Sequence, residues 1–537
     1  MMNYRQKGFL NSKKAKHRKL EYGENGAYYL SQVLNEGFKD KFYQLIDCYR
    51  VEKSKPLLIN LFLKEFWTKK PENTLFMQLT SFRHQLNHMP HSPITAETRL
   101  AYVLRHFRQA YEQVEHVTIG YGSHFQIQLT EASEGFFASQ QPYPAAPTSR
   151  EWKGQTVPVF FDQNPHQPLL ALLLNGRAHI HADLVSAAFY LLSGWQEYFS
   201  EERDRHGRFP FAASVQHQYG FVTMPVVNYY FDMLKTAAEH VTGRALEPRR
   251  WAIDAPFATC ITHDIDELRS AWKTPTKAAW QRHDWLRFGQ LLRRHFTLPD
   301  AWDNLELVQQ TVAEHGAKST FFFLPNHHKA PNGTPNADYK LSSTALQWRI
   351  RVLVEQGSEV AVHGSIGTAT EAQRLQRERA QLPGFILGNR FHYLSWEPRQ
   401  TPTILDEVGF TYDSTLGFAE HFGFRNSYCL PFHPFNFERG EACTFLEIPL
   451  NVMDATLHHP NYLQLAPSEI LPALTPMFQE IERFGGVCTL LWHNDHFDPA
   501  NETTGPRQFA ELMQYLRSRN TAFVNGQDIM SEVRYAQ

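Results

Sequence analysis

The sequence predicts an α/β protein in which an α+β region precedes a C-terminal barrel of alternating strands and helices. After Pro256, short β-branched or aromatic runs alternate with segments of helical periodicity, as in parallel βαβ units. Several helical segments end at a glycine directly before the next strand-like run, which is a common helix stop. About seven or eight such units within residues 257–535 favour a (β/α)7-8 barrel over an open sheet.

The chain is predicted to contain three parts, because 537 residues are too many for one hydrophobic core. Residues 1–95 read as mostly helical and carry no chemical motif. Residues 96–250 read as an α+β domain of unknown function, with strands near 117–122 and 157–161 and a helix over 183–198. Residues 245–256 hold two prolines and form the predicted linker to the barrel at 257–535.

Each barrel strand is predicted from a short apolar run and each helix from apolar residues at helical spacing. The strands are predicted at 258–262, 319–324, 359–362, 385–390, 410–412, 445–450, 487–492 and 522–524. The helices between them are predicted at 305–315, 346–356, 371–381, 403–408, 469–484 and 508–518.

Composition excludes several classes of protein. The formal net charge of −2 does not indicate a nucleic-acid partner. The five cysteines include no CxxC pair, so neither a zinc finger nor a disulfide framework is expected, and Cys260 and Cys488 are predicted to be buried thiols.

Targeting features are also lacking in the pattern. A basic N-terminal cluster has no apolar stretch after it, and no apolar run approaches the roughly 20 residues of a membrane-spanning helix. We therefore expect a cytoplasmic protein without a transmembrane segment. Peripheral membrane contact and the oligomeric state stay open.

Polar residues follow one predicted barrel strand after another. They are Asp264 and Asp266, His363, Arg390 with His392 and Tyr393, Asp413, and Trp492 with His493. The carboxyl ends of the strands in such a barrel form one face, here called the rim, and active sites lie on it. A lone aspartate could cap a helix, and a lone histidine could be an interior residue. These structural explanations would all have to hold at once on one rim. A single functional site is the simpler interpretation, so we favour it.

The ordered set resembles the motifs of the polysaccharide deacetylases with NodB homology. The resemblance covers residues 257–535, about half of the chain. It implies a metal-dependent hydrolase with Asp264 as catalytic base, His493 as catalytic acid and Arg390 as the residue that holds Asp264. It implies Asp266 and His363 as ligands of a divalent ion, for which zinc, cobalt or nickel would suit.

The resemblance also implies substrate contacts at the rim, from His392, Tyr393, Asp413 and Trp492. Backbone N–H groups near His392 and Tyr393 would help to bind an oxyanion. The upstream Gln196-Glu197-Tyr198 and Asp204-Arg-His-Gly-Arg-Phe-Pro motifs resemble a domain that precedes such barrels in products of bacterial polysaccharide genes.

Two positions depart from this family. The first motif reads Asp-x-Asp, and Gly367 stands where a second metal-binding histidine is usual. Catalytic zinc sites normally use three protein ligands, so a third must come from elsewhere. His392, His263 and His496 are the candidates, and the sequence does not choose between them.

An insertion at residues 267–299 separates the first strand from the first barrel helix. It interleaves tryptophan and phenylalanine with lysine and arginine. The interpretation we favour is an amphipathic helix packed against the barrel. A lid that stacks on sugars and a basic helix at a membrane surface are the alternatives.

The predicted function is removal of N-acetyl groups from a carbohydrate during cell-surface polysaccharide metabolism. A catalytically degenerate barrel that binds carbohydrate is the first alternative. The second is a hydrolase of another non-peptide C–N bond or of a peptide.

Overall fold

The computed structural model describes residues 94–111, 117–500 and 505–535. Residues 90–537 form one compact unit. The mostly helical segment predicted at 1–95 lies outside the described residues, except for its last two positions. The predicted α/β class is confirmed, with an α+β part followed by a large parallel sheet surrounded by helices.

The upstream part combines helices with a small mixed sheet. Its strands are β1 (Ile119–Tyr121), β2 (Ile127–Leu129), β3 (Thr148–Trp152), β4 (Gln155–Val159), β5 (Leu170–Leu173) and β6 (Arg177–Ile180). Its helices are α1 (Ala96–Ala110), α2 (Phe136–Ser139), α3 (Leu184–Leu192), α4 (Trp195–Phe199), α5 (Val215–Gln218) and α6 (Val226–Thr242). The sheet has the order β1-β2-β6-β5, and β3 and β4 form a separate hairpin.

The helix predicted at 183–198 is interrupted once. Asp183 caps α3 by accepting a hydrogen bond from the Ser186 N–H at 3.0 Å. Gly194 adopts a φ of +72° between α3 and α4, a conformation that glycine tolerates best. Every residue of α3 is buried, because the helix lies in the centre of the upstream part.

The large sheet carries the predicted barrel strands. They are β7 (Ala258–Ile265), β8 (Thr320–Phe323), β9 (Glu359–Gly364), β10 (Gly388–Phe391), β11 (Tyr412–Asp413), β14 (Leu446–Glu447), β15 (Val452–Met453), β16 (Val487–Leu491) and β17 (Ala522–Val524). A separate two-stranded hairpin comprises β12 (Phe435–Asn436) and β13 (Glu441–Ala442).

The strand order is β14-β11-β10-β9-β8-β7-β16-β15, and β17 pairs with β7 as well. All of these neighbours run parallel. Strand β16 is the last but one strand in the sequence, yet it pairs with β7, the first strand of this sheet. In the described part of the chain the end strands β14 and β15 do not pair, so the barrel is open there.

The helices of this part connect successive strands, except that the last helix follows the last strand. They are α7 (Lys273–Gln281), α8 (Trp285–Thr297), α9 (Leu305–Glu314), α10 (Thr344–Glu355), α11 (Ala372–Arg379), α12 (Thr401–Val408), α13 (Asp454–His458), α14 (Pro467–Arg483), α15 (Pro506–Ser518) and α16 (Gly526–Tyr535).

Two details differ from the sequence prediction. Strand β7 extends to Ile265, so Asp264 lies inside the strand rather than after it. The insertion forms the helical hairpin α7–α8, and α8 contains no buried residue. The interpretation of a helix packed against the barrel is therefore wrong for α8, because its apolar residues face α7 and solvent.

A single core cluster runs through both parts of the compact unit. Cys260 and Cys488 are buried free thiols in adjacent strands, as the sequence indicated. None of the helices in the described ranges has the length and apolar character that crossing a bilayer requires. The cytoplasmic location stays a prediction.

Candidate active site and metal centre

Strand β7 places two carboxylates at the rim. Asp264 is almost fully buried, and its Oδ1 lies 2.9 Å from Nη1 of Arg390. Asp266 follows the strand, and its side chain is 28% exposed. Because β7 is hydrogen-bonded on both sides, to β8 and to β16, the backbone that carries these groups is rigid.

The guanidinium of Arg390 is fixed on several sides. Its Nε and Nη2 donate to the carbonyl and hydroxyl oxygens of Ser414, at 2.8 and 2.9 Å. Its Nη1 also donates to the hydroxyl of Thr262 at 2.9 Å. The cation lies 4.4 Å above the ring of Phe322. A fully buried arginine, held on several sides, thus fixes Asp264 in one orientation.

Three side chains from the ends of β7, β9 and β10 converge beside this pair. The Oδ1 atom of Asp266 lies 3.3 Å from Nε2 of His363 and 3.4 Å from Nδ1 of His392. The two ring nitrogens are 3.1 Å apart. These are the groups among the described residues whose ligand atoms lie close enough together to hold one metal ion.

The hydrogen bonds on the outer side of each ring determine what the inner side offers. His363 Nδ1 faces the carbonyl of Arg390 at 2.9 Å, and His392 Nε2 faces the carbonyl of Pro335 at 3.3 Å. A carbonyl only accepts, so each ring donates from that nitrogen. The inner nitrogens of both neutral rings therefore carry lone pairs, directed at each other and at the carboxylate of Asp266.

This cluster fits a cation. Asp266 Oδ1 is buried and has no hydrogen-bond partner in the described part of the chain. Three acceptors that face one another are unfavourable unless a positive charge lies between them, and carboxylate with imidazole is a usual donor set for a divalent transition metal.

The pKa values of His392 and Asp266 agree with this picture, whereas the pKa of His363 is shifted towards the protonated form. Burial lowers the pKa of His392 to about 4, which keeps the ring neutral and able to bind a metal. Burial opposes ionisation of Asp266, but the nearby rings of His392 and His363 outweigh it and hold its pKa well below the ordinary value. Burial disfavours the charged form of His363, while Asp264 and Asp266 raise its pKa.

His493 lies across the same space and is oriented by a buried carboxylate. Its Nδ1 is 2.7 Å from Oδ1 of Asp454, and its Nε2 points to Asp266 at 3.9 Å. His496 binds the other oxygen of Asp454 at 2.6 Å. Burial disfavours the imidazolium of His493, but Asp454 prevails and raises the pKa of His493 well above its ordinary value.

The sequence prediction did not include Asp454. It is the first residue of α13 and directly follows the short strand β15, whose two residues are too few to be recognised in the sequence. Asp454 lies at the carboxyl end of a strand that pairs with β16, as the other site residues lie at the ends of their strands. Recognising β15 in the sequence would have identified it.

The third ligand candidate in the structure is His392, which the sequence analysis gave both as a substrate contact and, with His263 and His496, as a possible third ligand. The ring of His263 is buried and directed to the carbonyl of Trp492, at 2.7 Å, so it faces away from the cluster. His496 is bound to Asp454. Gly367 has a φ of +91°, so a histidine there would be strained and could not simply replace His392.

Two predicted substrate contacts lie in the interior instead. Trp492 is fully buried and packs on Phe509, because it points to the opposite side from its neighbour His493. Asp413 is fully buried and accepts a hydrogen bond from Asn389 at 2.7 Å. Both side chains are buried, and their roles as substrate contacts stay predictions.

Tyr393, by contrast, lies at the rim and meets the upstream part of the chain. It has a φ of +57°, and its ring stacks on His206 at 4.6 Å. Arg208 donates to the carbonyl of Tyr393 at 3.0 Å, while Asp204 receives the N–H groups that shape this turn. The upstream motif at 204–210 therefore contacts the rim through Tyr393.

Residues 81–242 match a family of unknown function, DUF7033. No curated protein matches the sequence.

Among solved structures, a Mycobacterium smegmatis protein assigned as a polysaccharide deacetylase is 17% identical, with 54% of this chain and 93% of that chain covered and a TM-score of 0.36. The allantoinase Puue is 12% identical, with 54% and 94% covered and a TM-score of 0.36. A Pseudomonas aeruginosa PAO1 protein assigned as a polysaccharide deacetylase is 12% identical, with 52% and 92% covered and a TM-score of 0.34.

Proposed function

We propose that this protein is a metal-dependent hydrolase that removes N-acetyl groups from a carbohydrate. The observation that carries the proposal is the meeting of three acceptor atoms, from Asp266, His363 and His392, beside an arginine-held aspartate and a histidine held by a carboxylate. Amide hydrolysis needs an activated water, a stabilised oxyanion and a protonated leaving amine, and this rim offers groups suited to each need.

The metal ligands in this proposal are Asp266, His363 and His392, and zinc, cobalt or nickel suits them. When bound, a divalent ion of this kind lowers the pKa of water and polarises a carbonyl. The carbonyl oxygens of Arg390 and Pro335 orient the two rings, so both are ready to bind without rearrangement.

Asp264 serves as the base. Arg390 occupies its Oδ1, and its Oδ2 faces His363 at 3.6 Å, on the side of the metal cluster. In the proposed reaction Asp264 takes a proton from the attacking water at that oxygen. The fixed guanidinium keeps it from rotating away.

His493 serves as the acid. Its Nδ1 donates to Asp454, and in the imidazolium form its Nε2 carries a second proton, which is directed into the site. Because Asp454 raises the pKa of His493, the imidazolium is available at neutral pH to protonate a departing amine. Backbone N–H groups near Tyr393 would bind the oxyanion, and the stacked rings of Tyr393 and His206 would contact the sugar.

The substrate is proposed to be an N-acetylated carbohydrate of cell-surface polysaccharide metabolism. A catalytically degenerate barrel that only binds carbohydrate, or a hydrolase of a different C–N bond, remains as an outcome of the test. The convergence of His392 on the cluster favours the enzyme, since it supplies the ligand that Gly367 does not.

The test measures acetate release from a panel of N-acetylated oligosaccharides, with zinc, cobalt or nickel supplied. Asp264→Asn should lower the rate by about 10²–10⁴-fold, because the amide keeps the shape but cannot accept the proton. The matched control is Asp254→Asn, at a surface aspartate whose side chain is 83% exposed, and it should retain the full rate.

Equal background release by the wild type and Asp264→Asn across the panel would reject the deacetylase. Retained binding of the same oligosaccharides would then support the carbohydrate-binding barrel. Release of ammonia or of an amine from other amides, lost in Asp264→Asn, would support the second hydrolase.

A further inference from the structure

The helical hairpin α7–α8 projects from the rim of the barrel. It follows β7, the strand that bears Asp264, and its base is fixed by Asp338, which accepts from the N–H groups of Leu268 and Arg269 at 2.7 and 2.8 Å. The two helices contact each other extensively, as the stacked rings of Trp272 and His295 at 4.2 Å illustrate. The hairpin is thus an ordered extension with a firm attachment.

Large apolar side chains of the hairpin face solvent. Trp280 is 55% exposed, Trp285 54%, Leu286 76% and Phe296 78%. No residue of α8 is buried. Nothing in the described part of the chain covers this surface, although apolar helical residues normally face a core. Isolated exposed apolar residues need no explanation, but a contiguous patch does.

Exposed and half-buried apolar residues of α8 form one continuous stripe. Trp285, Phe288, Leu292 and Phe296 follow each other at spacings of three or four residues, so they lie on one side of α8. Trp280 of α7 packs edge-on against Trp285, with ring centres 4.9 Å apart, and against Phe288 at 5.4 Å. Both helices therefore contribute to a single aromatic surface, here called the aromatic stripe.

The stripe is surrounded by positive charge. Residues 273–297 contain six lysines and arginines and one acidic residue, Asp284, a net charge of +5. Asp284 is engaged as the cap of α8, where it accepts from the Arg287 N–H at 3.0 Å. Within the described residues, none of the hairpin's basic groups forms an ion pair; those remote from the base are Lys277, Arg282, Arg287, Arg293 and Arg294.

We propose that the α7–α8 hairpin binds the interface of an anionic lipid bilayer, with the aromatic stripe at the level of the acyl chains and its arginines at the headgroups. Tryptophan and phenylalanine on one side of a helix and arginine on the other are the features of a helix that lies in a membrane surface. The proposal is independent of the catalytic assignment. It would bring the rim close to the membrane.

Charge distinguishes this occupant from a second copy of the chain. A symmetric dimer through the stripe would place the +5 hairpin of one copy against that of the other, with like charges facing each other. An anionic bilayer complements both the charge and the apolar stripe.

The test uses the full-length protein and sedimentation with lipid vesicles. Vesicles of phosphatidylcholine alone are compared with vesicles that also contain phosphatidylglycerol. The wild type should bind the anionic vesicles, and added salt should weaken the binding. Two double variants separate the apolar contribution to binding from the electrostatic one. The stripe variant carries Trp285→Asp and Phe296→Asp. The charge variant carries Arg293→Glu and Arg294→Glu.

The stripe variant should reduce vesicle partitioning by about tenfold or more, because it removes two apolar anchors. The charge variant should reduce it by a similar factor, since each arginine near an anionic surface contributes roughly fivefold. The control is Ile253→Asp, at a residue that is 99% exposed outside the hairpin, and it should bind like the wild type. All substituted positions lie at the surface, so far-ultraviolet circular dichroism should show unchanged folds.

Failure of the wild type to bind anionic vesicles would overturn the proposal. Equal binding by the stripe variant would do the same. A concentration-dependent dimer that the stripe variant abolishes, without vesicle binding, would assign the surface to a second copy instead. Acetate release in solution, measured separately, reports on the proposed reaction alone and would not change with these variants.

Discussion

At the scale of single residues, metal binding should depend most on His392. Its ring supplies the third ligand atom, and the carbonyl of Pro335 holds the ring in the required tautomer. His392→Ala should weaken zinc or cobalt binding by at least about tenfold, because two protein ligands hold such an ion less well than three. Competition with a chromophoric chelator measures this directly.

The control for that experiment is His327→Ala, which removes an exposed histidine from the loop after β8. It should leave the affinity unchanged. A His392→Ala protein that binds zinc like the wild type would remove this residue from the ligand set.

Asp454 governs the second residue-scale prediction. Its carboxylate raises the pKa of His493, so Asp454→Asn should lower that pKa. The acid must be protonated to act, so the alkaline side of the pH–rate profile should move to lower pH in the variant. The acid side should stay in place. A profile that drops uniformly at every pH would show that Asp454 acts only on structure.

The sequence located Asp264, Arg390 and His493 because each stands at the end of a recognisable strand. The role of His392 could not be read in the same way. Its ring direction depends on the carbonyl of Pro335, which is 57 positions away along the chain. Trp492 was predicted as a substrate contact because it stands next to His493. Neighbouring side chains in an extended chain point in opposite directions, so Trp492 and His493 face different sides.

At the scale of elements, α4 and the segment after β11 are joined by a buried ion pair. Arg425 binds Glu197 through two hydrogen bonds of 2.8 and 2.6 Å, with side chains only 1% and 4% exposed. Glu197→Gln leaves the arginine charge without its partner. The free energy of unfolding should fall by about 3–5 kcal/mol.

Urea unfolding at neutral pH measures this loss. The matched control is Glu482→Gln, which breaks an equally short pair with Arg519 whose side chains are 25% and 45% exposed. Glu482→Gln should lower the free energy of unfolding by less than about 1 kcal/mol, because water solvates both charged groups. An equal loss of unfolding free energy in both variants would contradict the prediction that the buried ion pair matters more than the exposed one.

Element positions in the barrel were largely predictable, since apolar runs and glycine stops mark them locally. What surrounds α8 could not be predicted from the sequence. Its amphipathic pattern identifies an apolar side, but the pattern is the same whether that side meets a core, a sugar or a lipid surface. Only the fold shows that no described element covers it.

At the scale of the whole molecule, a buried histidine pair should make stability depend on acid. His106 donates to the carbonyl of Tyr102 at 2.8 Å and accepts from the N–H of His433 at 3.1 Å. Burial lowers the pKa of His106 to about 3 and that of His433 to about 4. Both rings are neutral in the folded protein, where a proton would break the second bond of His106.

The unfolded chain takes up these protons near pH 6.5, whereas the folded chain does not, so acid favours unfolding. The stability of the wild type should therefore decline as the pH falls from about 6.5 towards 4, by roughly 1.4 kcal/mol per pH unit for each histidine. His106→Gln keeps a donor and an acceptor but does not titrate. The difference in unfolding free energy between wild type and variant should narrow with acid, and a constant difference would contradict the prediction.

The position of β16 has a consequence for synthesis on the ribosome. Strand β7 begins at residue 258, but β16, its partner through five residue pairs, begins at residue 487. At typical translation speeds that interval corresponds to roughly 10–50 s, during which one edge of β7 has no lasting partner. A free strand edge invites pairing with other chains. We therefore expect nascent chains of this protein to need chaperone protection until about the last tenth of the sequence emerges.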